Sequence, residues 1–196
     1  MKGMDVSCAQ GRTDWKKLRA GGVEFAMIRA SVGGRMPDGA EFSADPCLME
    51  NLRGAAQAGI AAGVYHTLCA GDSAGALAEA DRFLRTVAPY REQIRLWAAL
   101  HVEENGFLPR TRDGRTAAVH MFLKKVRTAG FRVMLYTTAD FLMQKLNDVS
   151  MYDLWIAWWG VTEARALSLN PKIWQYGPGM PGDLRPVNMD RGYFLL

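Results

Sequence analysis

Short apolar runs alternate with longer stretches in which apolar residues recur every three or four positions along this 196-residue chain. The first pattern belongs to strands buried on both faces and the second to amphipathic helices. Their alternation predicts β/α units around a parallel sheet. Strands are predicted over Met4–Ser7, Phe25–Ala30, Ala62–His66, Leu96–Val102, Val133–Thr137, Leu154–Trp158, Ile173–Tyr176 and Gly192–Leu195. Helices are predicted over Asp14–Ala20, Pro46–Ala58, Ser73–Val87, Arg115–Ala129 and Ala139–Leu146. Thr13 and Ser73 are the expected N-caps, Pro46 suits a first helical turn, and Gly59 and Gly130 suit the positions just past a helix end. In the last quarter helices fade, and strands follow one another through turns such as Gly177-Pro178-Gly179. The expected fold is α/β: an irregular TIM-like β/α barrel of about eight strands and five helices with a β-rich C-terminal third. No linker, repeat or low-complexity segment divides the chain, so residues 1–196 read as a single domain.

Composition narrows the function classes only a little. A net charge of +4 suits an anionic polymer such as a cell wall or nucleic acid, and equally a merely soluble surface. Cys8, Cys47 and Cys69 are widely spaced and form no C-x-x-C, so neither a disulfide framework nor a zinc ribbon is indicated. No apolar stretch approaches the ~18 residues of a membrane span. The opening Met1-Lys2-Gly3-Met4-Asp5 lacks the apolar core of a signal peptide. The expectation is a protein made in the cytoplasm, without membrane insertion.

In a barrel of this kind, polar residues at strand C-termini are the functional candidates. Here they are Asp5, Arg29, His66, His101, Glu103, Tyr136, Trp158 and Gln175. His101 and Glu103, two apart at the end of one strand, project from the same face. The set is acidic, aromatic and amide-bearing, which suits a sugar cleft: flat rings for pyranose faces and a carboxylate for a glycosidic oxygen. Gly33-Gly34 lacks the G-x-G-x-x-G spacing of a phosphate cradle. Among the tryptophans Trp155, Trp158, Trp159 and Trp174, Trp158 and Trp174 are the better cleft candidates. A thiol nucleophile at Cys8 is weighed against a small packed thiol, the commoner outcome.

These residues resemble glycoside hydrolase family 25, the Chalaropsis-type lysozymes that cut peptidoglycan between N-acetylmuramic acid and N-acetylglucosamine. The segments that carry the resemblance are Lys2-Gly3-Met4-Asp5-Val6-Ser7 with Gln10-Gly11 and Asp14-Trp15, Gly22–Ala30, Ala58-Gly59, and Gly63-Val64-Tyr65-His66. Tyr136-Thr137, Leu154-Trp155-Ile156-Ala157 and Ile173-Trp174-Gln175-Tyr176 follow in family order, over essentially the whole chain. The resemblance implies Glu103 as general acid and Asp5 as a second catalytic carboxylate. It implies a cleft containing Tyr65, His66, Arg29, Tyr136, Trp158, Trp174 and Gln175, with no cofactor and no metal. Two family carboxylates are replaced. His101 stands at the first acid of the family's Asp-x-Glu, and Asn188 in Val187-Asn188-Met189-Asp190 stands at a C-terminal one, unless a two-residue slip lets Asp190 substitute. Both Asn188 and Asp190 therefore count as substrate-binding candidates.

Glu103 is expected to donate its proton where an apolar surrounding keeps its pKa high. The functions left open are a muramidase with full or altered activity, a non-catalytic wall-glycan binder or phage structural protein on the same barrel, and a metal-dependent deacetylase built on Asp5, His66, His101 and Glu103. The expected partner is the peptidoglycan glycan strand, met by a monomer after phage lysis or non-classical export, with no nucleic acid.

Overall fold

The computed structural model describes residues 1–34, 42–105, 107–179 and 187–194. Nine strands and six α-helices occur among them. The strands are β1 (Lys2–Val6), β2 (Phe25–Val32), β3 (Ser43–Ala44), β4 (Ala61–Thr67), β5 (Ile94–His101), β6 (Val133–Thr138), β7 (Asp153–Ala157), β8 (Ile173–Gly179) and β9 (Val187–Gly192). The helices are α1 (Trp15–Ala20), α2 (Leu48–Gln57), α3 (Ser73–Val87), α4 (Arg112–Thr128), α5 (Ala139–Lys145) and α6 (Glu163–Leu167).

Eight strands close on themselves in the order β1-β9-β8-β7-β6-β5-β4-β2, because β1 also pairs with β2; β3 is an appendage on the edge of β2. All neighbours in the ring are parallel except β9, which runs antiparallel to both β8 and β1. That reversal follows from the turn-linked C-terminal strands. A parallel neighbour would need a crossover of a dozen or more residues, whereas an antiparallel one returns directly.

Closure gives each strand an axial face and a helical face, and both are apolar. Phe25, Met27, Tyr65, Ala99, Met134, Tyr136, Trp155 and Ile173 form one buried cluster inside the ring. Met4, Val6, Ala26, Ile28, Ala62, Val64, Ala98, Leu100 and Leu135 form the other, with helix residues such as Leu52, Phe83, Phe122 and Leu123. Helix starts are fixed by side-chain caps. Asp14 accepts from the Lys17 N–H, Asp72 from Gly75, Thr111 from Gly114, Thr138 from Phe141 and Thr162 from Arg165. The caps predicted at Thr13 and Ser73 thus fall one residue early and one late. Pro46 precedes α2 rather than entering its first turn, while Gly59 and Gly130 do take the left-handed conformation past α2 and α4 (φ 69° and 85°).

The last strand departs most from expectation: it occupies Val187–Gly192, not Gly192–Leu195. Phe194 instead folds under the barrel, with its ring 4.7 Å from Trp97 and 5.2 Å from Phe25 between centroids. The short helix α6 was also not foreseen.

Inside the ring, size is matched across strands. Gly3 pairs with Phe25, and a Cβ at Gly3 would lie within the Phe25 ring. Gly3→Val should therefore overpack the axis and destabilise the fold by about 1–3 kcal/mol. The measurement is the urea midpoint, and Phe25→Leu in the same chain should recover part of the loss. An unchanged midpoint in Gly3→Val would show that the interior is not packed as described.

Candidate active site

The C-terminal ends of the parallel strands converge on one mouth, and the chain supplies it with polar groups at alternate positions. Asp5, Ser7, Gln10, Tyr65, His101, Tyr136, Trp155 and Gln175 line a cavity of about 170 Å³ at the axis. Beside it, an open cavity of about 440 Å³ is lined by Glu103, Tyr136, Thr138, Asp140, Trp158, Trp159 and Gln175, among others. Tyr136 and Gln175 belong to both, so the two form one stepped cleft.

A run of neutral polar groups joins the two carboxylates. Gln175 Nε2 donates to Asp5 Oδ2 at 2.8 Å, and Gln175 Oε1 accepts from the Tyr136 hydroxyl at 3.2 Å. Tyr136 also reaches Glu103, and its hydroxyl lowers the Glu103 pKa as a donor. The Tyr136 phenol itself is pushed far up, first by burial and then by the charges of Glu103 and Asp5. It therefore stays protonated and available as a donor. Tyr65 is pushed up in the same way by burial and by Asp5.

His101 stands against Glu103. Its Nε2 lies 3.4 Å from Glu103 Oε2, a close approach without hydrogen-bond geometry, while Nδ1 meets Thr67 Oγ1 at 3.2 Å. The ring is set edge-on to Tyr136, with centroids 4.4 Å apart. The adjacent His101 imidazole holds the Glu103 carboxyl below its ordinary value, half-burial works against it, and Tyr136 adds to the lowering. The expectation of an apolar surrounding that raises this acid is thus reversed. The carboxylate is 40% exposed, and the titratable side chain against it is the His101 imidazole.

Several residues expected in the cleft face elsewhere. His66 follows Tyr65, so it projects to the helical side of β4 and is fully buried. Its Nδ1 meets Ser31 Oγ at 2.8 Å, its Nε2 meets Glu79 Oε2 at 2.9 Å, and its ring stacks on Phe122 with centroids 5.0 Å apart. Trp174 lies on the outer face of β8, with its indole N–H on the Trp158 carbonyl. Arg29 is committed to Asp45 Oδ2 at 2.8 Å and to Cys8 Sγ at 3.2 Å, at the rim of the mouth. Asp45 also accepts from the Cys8 and Cys47 amides, so this pair ties two loops together. With His66 turned away, Asp5, His66, His101 and Glu103 do not converge. Among the described residues no group of three or more metal-ligating side chains does.

The C-terminal acids are resolved by register. Asn188 pairs with Asp5, whereas Asp190 pairs with Gly3, one layer deeper. The Asn188 side chain falls outside what the structure describes. Asp190 is fully buried beneath the cavity, with Oδ1 accepting from the Trp155 indole at 2.8 Å and Oδ2 unpartnered. Burial, and then the charge of Asp5, push its pKa well up and favour its protonated form. The two-residue slip does not bring Asp190 to the mouth. Sequence reasoning missed Trp159, 51% exposed and bonded through Nε1 to Gln175 Oε1 at 3.2 Å. It also missed Asp140 and the pair Ser7 and Gln10. No residue pattern marks Trp159, which lies past the end of β7.

Comparisons with known proteins agree with this architecture. The model of the family described as Glycosyl hydrolases family 25 matches residues 4–180. The chain is 30% identical to the autolytic lysozyme of Clostridium acetobutylicum, over 83% of this chain and 46% of that protein. It is 29% identical to lysozyme M1 of Streptomyces globisporus, over 94% of this chain and 66% of that one. The chain thus spans about half to two thirds of the length of these relatives. Among solved structures, the CTP1L endolysin superposes with a TM-score of 0.81 at 27% identity, covering 97% of this chain and 66% of that one. A family 25 glycosyl hydrolase from Bacillus anthracis superposes with a TM-score of 0.80 at 22% identity, covering 100% and 89%, a likeness of fold.

The buried Ser31–His66–Glu79 network has a consequence for stability. Burial holds the His66 imidazole below its ordinary pKa and keeps it neutral in the fold, although Glu79 pulls the other way. On acidification the unfolded chain takes up this proton first, near pH ~6.5. The contribution is therefore complete above that pH and lost as pH falls below it. The urea midpoint should drop between about pH 7.5 and pH 5.5, and the drop should be shallower in His66→Gln. Equal slopes in the two proteins would assign the acid sensitivity to other groups.

Proposed function

We propose that this chain, which belongs to glycosyl hydrolases family 25, is a 1,4-β-N-acetylmuramidase that cleaves peptidoglycan glycan strands, with Glu103 as general acid and Asp5 as its catalytic partner. The observation that carries the reading is the stepped cleft, in which these two carboxylates sit at the ends of β1 and β5 and are joined through Tyr136 and Gln175. The names of the relatives, two lysozymes and an endolysin, support the same substrate. The net charge of +4 suits an anionic wall. The protein would meet that wall as a monomer, released by lysis or by non-classical export. No helix among the described residues is long and apolar enough to cross a membrane.

In this reading, protonated Glu103 gives its proton to the glycosidic oxygen as the C–O bond breaks. The departing sugar keeps that proton as a hydroxyl, and the other sugar passes through an oxocarbenium-like centre. Asp5, kept oriented by Gln175, supports the positive charge or the substrate's own acetamido group as it attacks. Glu103, now a carboxylate, takes a proton from the water that completes hydrolysis. Tyr136 donates to Glu103 when it is ionised and turns to Gln175 when it is protonated. Trp158 offers a ring face for a sugar beside Glu103. His101 and Asn188 stand where the resemblance to the family places carboxylates, and both are side-chain types that can hydrogen-bond but lack the negative charge.

His101 also favours a second reading, a wall-glycan binder with little turnover. A general acid must be protonated to act, so its activity is present below its pKa and fades above it. Because His101 lowers that value, hydrolysis should be confined to acidic pH. Reducing-end release from purified walls should therefore decline as pH rises toward neutrality, and Glu103→Gln should abolish it. His101→Asp replaces an imidazole with a like charge, which raises the Glu103 pKa. It should increase release at neutral pH by at least about tenfold and move the upper limb of the pH profile upward. Wall binding without release at any pH, unchanged in Glu103→Gln, would establish the binder instead. A flat or lower rate in His101→Asp would show that the histidine does not stand in for a lost acid.

A further inference from the structure

We propose that Trp159 is a positioning residue whose indole N–H locks the Gln175 amide in the one orientation that offers a donor to Asp5. Gln175 is 2% exposed, and its two amide ends face three partners. Oε1 accepts from Trp159 Nε1 and from Tyr136 Oη, both at 3.2 Å, while Nε2 donates to Asp5 Oδ2 at 2.8 Å. Of the two groups at Oε1, only the indole is incapable of accepting. The Tyr136 hydroxyl would tolerate either end of the amide, since it could accept from a flipped Nε2 and turn its own proton to Glu103. Trp159 would not. A flipped amide would set N–H against N–H at Trp159 and oxygen against carboxylate at Asp5.

The lock reaches the reaction through Asp5. A carboxylate held by a fixed donor stays ionised and keeps its direction, and positioning of this order decides rates without changing affinity. Trp159 also lines the cavity beside Glu103 and Trp158, where an exposed indole would otherwise be read as a sugar platform alone. The two roles are separable, because the ring provides the platform and the N–H provides the lock.

The kinetic arm of the test rests on the muramidase reading, and the spectroscopic arm does not. Trp159→Phe keeps a ring and removes the N–H. It should lower kcat on solubilised glycan strands by roughly tenfold or more with KM within about twofold of wild type, whereas Trp159→Ala should also raise KM. In 15N–1H spectra of the free protein, the Gln175 side-chain amide, assigned by its absence in Gln175→Glu, should show one proton shifted and protected by its carboxylate acceptor. That signature should collapse toward a free amide in Trp159→Phe. Unchanged kcat with raised KM, or an unchanged amide signature, would overturn the lock and leave Trp159 a platform. If wild-type protein releases no reducing ends, the muramidase reading fails, and the amide spectrum still decides the lock.

Discussion

In a closed barrel each strand residue faces either the axis or the helices, and no residue serves both. That constraint governs nearly every feature of this molecule. Tyr65 and His66 are neighbours in sequence, yet one forms the cavity wall and the other is sealed beneath α3 and α4 with Ser31 and Glu79. Asp5 and Gly3 share the axial face of β1, so the acid sits at the mouth only because the residue two positions below it is small enough to admit Phe25. Barrel packing and site geometry are thus one problem, solved layer by layer along the axis.

The fold was legible because its signals are strong and local. Apolar runs of strand length, separated by helical periodicity, located seven of the eight ring strands and five helices, and the errors fall where the physics is less local. The C-terminal strand was read on the apolar Gly192–Leu195, whereas the strand is the alternating Val187–Gly192. Its alternation reflects an axial face carrying a buried acid, Asp190, in a layer where most neighbours are apolar. Phe194 is apolar because it plugs the bottom of the barrel, which no periodicity records. Within the site, strand-end position identified Asp5, His101, Glu103, Tyr136 and Gln175. His66 and Trp174 were misplaced because strand ends were read without their parity. Trp159 was missed because it acts from a loop, through a side chain contributed by another strand.

The cleft shows how one residue can invert an acid's chemistry while leaving its place in the fold untouched. A carboxylate at position 101 would repel the charge on Glu103 and favour its protonated form. The imidazole there favours the ionised form. His101 is held by Thr67, whose hydroxyl can donate or accept, and by the ring of Tyr136. Family membership and barrel geometry therefore set where the acid stands. On the proposed reading, its working pH follows from a neighbour.

Glu103 and Asp5 are nonetheless not independent. The Tyr136 hydroxyl carries a single proton, which can be given to Glu103 or to Gln175. When Glu103 ionises, that proton turns toward it, and Gln175 Oε1 is left with the Trp159 indole alone. This second donor remains in place beside the Asp5 carboxylate, which itself takes only a donor, so in the proposed lock Asp5 retains its hydrogen bond in both protonation states of the acid. A glycosidase must pass through both states in every turnover, since the donor of the first step is the base of the second. An exposed tryptophan at the lip of the cleft is thus what keeps one carboxylate still while the other changes its charge.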